Sequence, residues 1–276
     1  MAEFNQKIIC LLTDFGLKGQ HYVASMKGVI LKINPNVRIV DITHNITPFS
    51  IIEASYILKT TYMHFPEGTI FIIVVDPGVG SSREILAIKT KSQHYFVGPN
   101  NGIFSGKIAT DIEECIEVQN DDFFKKPISS TFHGRDIMAP VAAHLISGVP
   151  LIKIGSQFNQ NLIKKIPLKY NINTKNRIIQ CVVQYIDAFG NVTTNIPIAK
   201  KKIQNSEISL NEGNGIVVKI GKKNYKGHFT LNFSSVPVGS ILFLIGSTGF
   251  LEISINQGDA SKELGLNVGD KLTIRL

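Results

Sequence analysis

The chain contains no tryptophan, and only three of its 276 residues are cysteine. Cys10, Cys115 and Cys181 lie far apart in apolar surroundings and form no Cys-x-x-Cys pair. This pattern argues against a disulfide framework and against a zinc site. We therefore expect three buried structural thiols. The sequence also lacks His-Glu-x-x-His and any aspartate-rich metal loop, so we expect no bound metal.

Long apolar runs are missing as well. The longest, residues 70–75 and 241–245, have the length of strands and fall far below the roughly 20 residues that cross a bilayer. The first seven residues show no basic region followed by an apolar core. We therefore expect a cytoplasmic protein with no signal peptide and no membrane partner.

The net charge is +8, from 29 lysines and arginines against 21 aspartates and glutamates. These basic residues are scattered, apart from a short cluster at 200–202, and no basic stripe with interleaved aromatic residues occurs. Nucleic-acid binding needs such a stripe or a recognisable module. We therefore expect no nucleic-acid partner, and we interpret the positive field as an aid to solubility or to the steering of anionic ligands.

The first part of the chain alternates between strand-like and helix-like segments. Apolar runs predict strands at 7–13, 37–42, 69–75, 84–89 and 94–97. Helical spacing predicts a helix at 20–33 and another from the capping box at 50–53 to about His64, and a third with Asp136 as its N-cap and its end at Gly148. This alternation predicts an α/β domain with a largely parallel sheet over residues 1–158.

The pattern changes near residue 156. Residues 159–174 are rich in asparagine and lysine and are interpreted as a linker. Short strand-like runs separated by glycine and asparagine follow at 177–185, 208–210, 216–220, 240–245, 251–255 and 271–274. They predict a smaller, all-β, barrel-like domain over residues 175–276.

Four polar, glycine-containing strings are not explained by packing. They are residues 12–16 (LTDFG), 75–83 (VDPGVGSSR), 131–136 (TFHGRD) and 186–191 (IDAFGN). In the second string Asp76 follows an apolar strand directly, at the end where α/β proteins place ligand chemistry. Arg83 is expected to keep Asp76 ionised. The alternative is a structural ion pair that braces the loop.

Asp14 and His133 suggest chemistry in the other strings of this domain. Asp14 is suited to accept two hydrogen bonds from a vicinal diol such as that of ribose, or else to form a turn or helix cap. His133 lies on an open glycine-containing loop, and Phe132 beside it offers a face to a planar base. Without a serine or cysteine nucleophile motif, this set predicts acid–base handling of water. Surface or cap roles are expected for the remaining histidines without a partner pattern, which are His21, His44, His64 and His94.

The second domain adds further candidates. Asp187 is suited to an ammonium group and Asn191 to an adenine edge, although both also fit a hairpin turn. Ser247, in a small polar loop after an apolar strand, suits a carboxylate. Phe49 and Phe233 are candidates for stacking on a base, or core residues.

Together the strings resemble the S-adenosyl-L-methionine (SAM) hydroxide adenosyltransferases, SAM hydrolases that are relatives of the fluorinating and chlorinating SAM enzymes. The resemblance rests on residues 13–16, 76–80 with Arg83, 98–102, 132–136 and 189–191, in order over nearly the whole chain. It implies an N-terminal α/β domain, a C-terminal β-barrel, a homotrimer, and SAM bound between domains of adjacent subunits.

The resemblance also implies a role for each matching residue. Asp76, Arg83 and His133 correspond to the hydrolase triad that positions and activates water. The implied substrate contacts are those of Asp14 with the ribose hydroxyls, Asn191 with the adenine, and Asp187 and Ser247 with the methionine end. SAM is then the substrate, no separate cofactor is expected, and the products are adenosine and L-methionine.

The chain departs from the family pattern after Gly16. Many relatives carry a carboxylate there, near the amino-acid part of SAM, where residues 17–21 read LKGQH. Thr248 stands where halogenating relatives carry an arginine, and Gly134 where a halogenase offers a hydroxyl. The alternatives to hydrolysis are a SAM-dependent halogenase that makes a 5′-halo-5′-deoxyadenosine and a non-catalytic SAM or adenosine sensor.

Overall fold

A computed structural model describes residues 7–276 and divides the chain into two compact units. The first unit ends at Ile166, and the second is Pro167–Leu276. The boundaries that the sequence predicts, 1–158 and 175–276 around a linker at 159–174, stay a prediction. No helix within the described residues has the length and apolar character needed to span a membrane.

The first unit is built on a seven-stranded sheet. Its strands are β1 (Ile8–Thr13), β2 (Arg38–Thr43), β3 (Ile70–Val74), β4 (Ile85–Thr90), β5 (Tyr95–Pro99), β6 (Ile112–Val118) and β7 (Gly155–Gln157). Their order is β2-β1-β3-β5-β4-β6-β7, parallel from β2 to β5 and antiparallel from β5 to β7. The α/β class and the parallel centre of the sheet are confirmed.

Helices cover both faces of this sheet. They are α1 (Gln20–Ile33), α2 (Ile51–Thr61), the short α3 (Lys107–Thr110) and α4 (Ala139–Ile146). Because side chains alternate along a strand, Ile9 and Leu11 of β1 pack in one core with α1 and α4, whereas Cys10 and Leu12 pack in another with α2. The predicted helix start is confirmed, since Ser50 Oγ accepts from the Glu53 backbone N at 3.4 Å. The box is not complete, because the Glu53 carboxylate accepts from the Thr47 backbone N at 3.1 Å and the Ser50 N donates to the Thr47 carbonyl.

The prediction that Asp136 caps a helix is wrong. Asp136 lies inside a π-helical turn, Gly134–Met138, that continues directly into α4. Its fully buried carboxylate accepts from Arg135 Nε at 2.7 Å and from the Ser129 backbone N at 2.9 Å. Burial raises the pKa of Asp136, but these hydrogen bonds and the charges of Arg135 and Lys125 outweigh burial and leave it lowered. Asp136 therefore anchors the loop that leads into α4.

Two histidines for which surface or cap roles are expected lie mostly inside the unit. His94 is 3% exposed and holds the Phe65 carbonyl oxygen with Nε2 at 3.0 Å. The His44 side chain is 10% exposed and contacts Thr13 and Asp41. Both contacts join residues that are distant in sequence, so no local pattern predicts them.

The three cysteines are buried free thiols, as predicted. Burial raises the pKa of Cys10, Cys115 and Cys181 to about 12, with the Asp41 charge adding to the effect at Cys10. A thiol with such a pKa is a poor nucleophile at neutral pH.

The second unit is a closed barrel of seven strands. All strands of the unit are β8 (Asn171–Asn173), β9 (Ile178–Ile186), β10 (Val192–Ala199), β11 (Lys202–Ile203), β12 (Gly215–Ile220), β13 (Lys223–Phe229), β14 (Ile241–Ile245), β15 (Phe250–Ile255) and β16 (Lys271–Arg275). The ring runs β10-β15-β14-β13-β12-β16-β9 and closes through the pairing of β9 with β10. The barrel-like domain is therefore confirmed.

One strand of this unit is predicted wrongly, and others are missed. Residues 208–210 form only a single bridge, between Ser209 and Lys202. β10 and β13 are not predicted from the sequence, because both contain polar residues among few large apolar ones. The short helix α5 (Ala260–Leu264) begins after Asp259, whose carboxylate accepts from the Lys262 backbone N at 2.9 Å.

Candidate active site

A cleft of about 620 Å³ opens in the first unit, beside the carboxyl ends of β1 and β3. Five residues that the sequence singles out line it: Asp14, Phe49, Asp76, Phe132 and His133. They come from four separate loops. Three of these follow the parallel strands β1, β2 and β3, whose carboxyl ends share one edge of the sheet, and the fourth leads into the turn before α4. The remaining lining includes Phe15, Tyr22, Pro48, Val74, Val79, Ser129, Thr131, Gly134 and Arg135.

Asp76 and Arg83 form a buried two-pronged ion pair at this cleft. Arg83 Nε lies 3.0 and 2.9 Å from the two Asp76 oxygens, and Nη2 lies 2.5 Å from Oδ2. The side chains are only 4% and 7% exposed, respectively. The turn between them needs a glycine, because Gly80 has φ of +78° and any Cβ there would collide with the Ser130 carbonyl. The carboxylate is therefore held in one orientation.

His133 joins this pair through the same guanidinium. Arg83 Nη2 lies 2.9 Å from His133 Nδ1. A guanidinium only donates, so Nδ1 is the accepting nitrogen and the hydrogen of the neutral ring sits on Nε2. Burial, and then the charge of Arg83, lower the pKa of His133 against the smaller opposing effects of Asp76 and Asp136. The imidazole is therefore neutral at pH 7.

Asp14 places a second carboxylate in the cleft. Its Oδ2 accepts from the Phe49 backbone N at 2.8 Å. The pKa of Asp14 is raised, mainly because the carboxyl group is buried and further because of the nearby Asp76 charge. Hydrogen bonds from the backbone N of Phe49 and of Asp14 itself oppose this effect. Phe49 has a φ of +67° and is 68% exposed, so this bond fixes a strained loop that presents an aromatic ring. A cleft with two carboxylates favours a ligand with hydroxyl groups and positive charge.

Phe132 is far less open than the sequence suggests. The ring is 9% exposed, with Phe15 and Tyr22 packed edge-on at centroid distances of 5.8 and 5.1 Å. The Arg135 guanidinium carbon lies 5.0 Å from its centroid. Phe132 lines the cleft, but these neighbours cover most of its surface. Its role as a stacking platform stays a prediction.

The second unit has its own cleft, of about 1060 Å³. Asp187, Asn191, Phe233 and Ser247, the predicted residues of this unit, all line it. Asp187 Oδ1 accepts from the backbone N of Phe189 and of Asn191, each at 2.9 Å, and Oδ2 accepts from Asn191 Nδ2 at 2.8 Å. Asp187 therefore organises the turn, and one of the two amide hydrogens of Asn191 is committed to it.

Two further residues of this second cleft, not predicted from the sequence, could contact a ligand. Phe189 is 78% exposed on the turn, and its only sequence signal is its place in the IDAFGN string. Glu252 lies on β15, and its signal is a single acidic residue within an apolar strand. Burial, followed by the Asp187 charge, raises the pKa of Glu252 despite its hydrogen bonds with Ser254 and Thr193.

Both units match models of known domains. Residues 9–155 match the SAM hydroxide adenosyltransferase N-terminal domain, and residues 181–273 match the SAM hydroxide adenosyltransferase C-terminal domain. The chain belongs to the SAM hydroxide adenosyltransferase family. The resemblance inferred from the five sequence strings is therefore confirmed.

Relatives of this SAM hydroxide adenosyltransferase family member match over nearly its full length. An (R)-S-adenosyl-L-methionine hydrolase of Methanocaldococcus jannaschii is 37% identical over 275 residues, covering 97% of this chain and 95% of the relative. A fluorinase of an Actinoplanes species is 25% identical over 302 residues, with 97% of each chain covered. The solved structure of an uncharacterized conserved protein from Thermotoga maritima superposes with a TM-score of 0.87 at 39% identity, covering 97% of this chain and 100% of that one.

Proposed function

We propose that this protein hydrolyses SAM to adenosine and L-methionine. The observation that carries the proposal is the buried Asp76–Arg83–His133 array in a cleft that also holds Asp14. The family of the chain supports it, as do relatives named (R)-S-adenosyl-L-methionine hydrolase at 28–37% identity. The fluorinase relatives match at only 23–25% identity, so the halogenase alternative has weaker support.

This reaction does not require a covalent intermediate between the substrate and the protein. Water attacks the ribose C5′ in line with the sulfur, a C–O bond forms, the C–S bond breaks, and one water proton is lost. The sulfonium leaves with the bonding electron pair as a neutral thioether, which makes methionine a good leaving group. The enzyme therefore has to align the water behind C5′ and provide an acceptor for its proton.

In our proposal Asp76 orients this water and accepts its hydrogen bond. The Arg83 fork fixes the carboxylate, and each carboxylate oxygen retains accepting capacity beyond its bond to Arg83. The geometry argues against His133 as the proton acceptor, because Arg83 occupies Nδ1 and the pKa of His133 is lowered. The attacking water becomes strongly acidic as the C–O bond forms, so a carboxylate is a sufficient acceptor. His133 then holds Arg83 in place.

The binding roles follow the residues that line the two clefts. The free oxygen of Asp14 would accept from the ribose hydroxyls, and the exposed ring of Phe49 is available for stacking. In the second unit, Asn191 would read the adenine and the exposed Phe233 would stack on it. Asp187 and Ser247 would bind the methionine end of SAM.

The triad region disfavours a halogenase. A halide must lose water into a neutral or donor-rich pocket, and the buried Asp76 carboxylate would repel it. A Cβ at Gly134 would lie 2.9 Å from Val74 Cγ1, so a hydroxyl-bearing side chain does not fit there without movement of a branched strand residue. Around Asp76 and Gly134, the described cleft therefore offers neither a neutral pocket nor room for an added hydroxyl donor.

The test is incubation with SAM, supplied as each sulfonium epimer, with adenosine followed by chromatography. Adenosine formation supports the proposal, and absence of adenosine from mildly acidic to alkaline pH overturns it. Halogenated nucleoside in high chloride or fluoride, in preference to adenosine, would show a halogenase instead. Tight SAM binding in calorimetry without turnover over hours would identify a sensor.

We further propose that the working form is a homotrimer with SAM bound between domains of adjacent subunits, as the family resemblance implies. Each unit by itself carries only some of the expected binding groups. Sedimentation velocity, with and without SAM, measures the assembly. A mass of one or two chains under conditions of full turnover would contradict it.

A further inference from the structure

His44 connects the two loops that hold Asp14. His44 directly follows β2, and its backbone O accepts from the Gly16 N at 2.7 Å. Its side chain is 10% exposed, with Nδ1 lying 3.0 Å from Thr13 Oγ1. Thr13 is fully buried and immediately precedes Asp14. Backbone and ring of one histidine therefore hold the residues on both sides of the Asp14–Phe15 segment.

A chain of polar contacts continues behind this histidine. His44 Nε2 lies 3.1 Å from Asp41 Oδ1, and Asp41 Oδ2 lies 2.6 Å from Lys27 Nζ on α1. His44 Nε2 is buried and makes no hydrogen bond of regular geometry, so its contact with Asp41 is one of distance alone. The hydrogen bond with Thr13 is therefore the contact that orients the His44 ring.

The hydrogen bonds that begin at His44 lead to the residues that would contact the ligand. Thr13 Oγ1 accepts from the Phe15 backbone N at 3.4 Å. Asp14, between these two residues, accepts from the Phe49 backbone N, which closes the link to the loop after β2. Thr13 itself has no access to solvent, so the Thr13–His44–Asp41 arrangement offers no nucleophile to a substrate.

We infer that His44 is a positioning residue that acts through Thr13 to aim the Asp14 carboxylate at the ribose hydroxyls. The inference rests on the proposed function, since it takes the ribose of SAM as the group that Asp14 meets. It assigns the histidine no proton transfer. Its contribution is the alignment of C5′, because a shifted ribose moves the reacting carbon away from the water at Asp76.

The test measures adenosine binding by calorimetry and SAM turnover for matched variants. His44→Gln keeps a polar end toward Asp41 but withdraws it from Thr13, and Thr13→Val removes the hydroxyl while keeping the shape. Both should weaken adenosine binding about tenfold, the scale of one lost buried hydrogen bond with its unpaired partner. His44→Asn and Thr13→Ser keep the link and should stay within about threefold of the parent.

A double-mutant cycle distinguishes positioning from a general structural role. If His44 acts through Asp14, adding His44→Gln to Asp14→Asn should weaken adenosine binding by less than about twofold further. His94→Gln is the matched control, since His94 is a buried, hydrogen-bonded histidine of the same unit outside the cleft. The unfolding temperatures of all variants show which losses of adenosine affinity come from misfolding. If His44→Gln does not fold, comparison of Thr13→Val with Thr13→Ser tests the same contact.

The outcomes separate this inference from the proposed function. Parental adenosine binding in His44→Gln and Thr13→Val, or losses that multiply with Asp14→Asn, overturn the inference and leave hydrolysis standing. If the parent protein binds adenosine but never forms it from SAM, hydrolysis is overturned. The role of His44 is then decided by the adenosine affinities of the variants alone. A parent that binds no adenosine overturns the inference as well.

Discussion

Arg83 Nη2 lies 2.9 Å from His133 Nδ1, so the guanidinium that clamps Asp76 also occupies the accepting nitrogen of the imidazole. Protonation of Nδ1 would place two hydrogen donors against each other and break this contact. Burial and the Arg83 charge accordingly lower the pKa of His133. The neutral ring is therefore part of the geometry that holds the triad together.

We expect turnover to fall when the pH drops below 6.5, the ordinary pKa of histidine, and passes through the lowered pKa of His133. Between neutral and alkaline pH this group should cause no change. The unfolded chain binds the proton more readily, so the stabilisation from neutral His133 is present above pH 6.5 and is lost as the pH falls. His144, whose pKa burial also lowers, adds to the stability effect with the same sign.

The measurement is kcat/KM and urea unfolding against pH for the parent and for His133→Asn. The variant should lose this acid limb of the activity profile and have a lower turnover at every pH. An acid limb that begins above pH 6.5, or one that His133→Asn leaves unchanged, would contradict the assigned state of the ring.

Asp76→Asn should reduce turnover by roughly 10²-fold or more while SAM affinity stays nearly unchanged, because the group acts on water in our proposal. The amide keeps the shape but removes the charge and presents a donor to Arg83 or to the water. Asp111→Asn is the control, since Asp111 binds Ser92 away from the cleft. Turnover at the parent rate in Asp76→Asn would show that the water site is wrong even if SAM is the ligand.

Elements with local signals were predictable from sequence. The helix at 20–33 agrees with the structure at both ends, since its apolar spacing runs without interruption up to Asn34-Pro35. The start of α2 was predictable because the Ser50 cap on Glu53 is a contact within four residues. β3, buried over its whole length at the centre of the sheet, has the continuous apolar run that such strands require.

Other elements depend on partners that are distant in the chain. β6 carries three glutamates among its seven residues and is held by pairing with β4 and β7, so its own pattern is weak. Asp136 resembles an N-cap by type and position, but its carboxylate is held by Arg135, Ser129 and Lys125, from the π-helical turn itself and the loop before it. For β6 the partners are distant strands, whereas for Asp136 they are nearby residues whose contacts no capping pattern predicts.

The residue types of the candidate site were predictable from the sequence, but the contacts that surround these residues were not. The strings around Asp14, Asp76 and His133 mark strand ends and glycine turns, which are local features. The cover on Phe132 and the role of His44 depend on contacts across 31 or more residues or between separate loops. The sequence offers no pattern for these contacts.

Gly80→Ala and Gly265→Ala should destabilise the protein to different extents. Both glycines have positive φ, at +78° and +66°, and alanine in the left-handed conformation of Gly265 costs about 1 kcal/mol. A Cβ at Gly265 meets open space, whereas one at Gly80 collides with the Ser130 carbonyl two residues before Phe132. Thermal unfolding should therefore show the larger loss for Gly80→Ala, with reduced turnover in that variant alone. Equal unfolding temperatures would contradict the close approach of these two loops.

Ser247→Ala should weaken SAM binding several-fold while adenosine binding stays at the parent value, because Ser247 is assigned to the methionine end. The hydroxyl lines the cleft of the second unit, and Ser206→Ala, on a turn of the same unit outside that cleft, is the control. Calorimetry with the two ligands measures the difference. A loss of adenosine affinity as large as the loss for SAM would move Ser247 to the nucleoside end.

Asp14→Asn should mainly weaken the binding of both SAM and adenosine, with turnover falling through misalignment of C5′. The Phe49 backbone N donates to Asp14 Oδ2, so the amide oxygen must take that place and the amide NH₂ must face the ribose. A donor then meets hydroxyls that the carboxylate would have accepted from, which costs roughly one hydrogen bond and about tenfold in affinity. Calorimetry and steady-state kinetics give the two effects separately. Unchanged adenosine affinity with a loss in kcat alone would place Asp14 at the reacting water and not at the ribose.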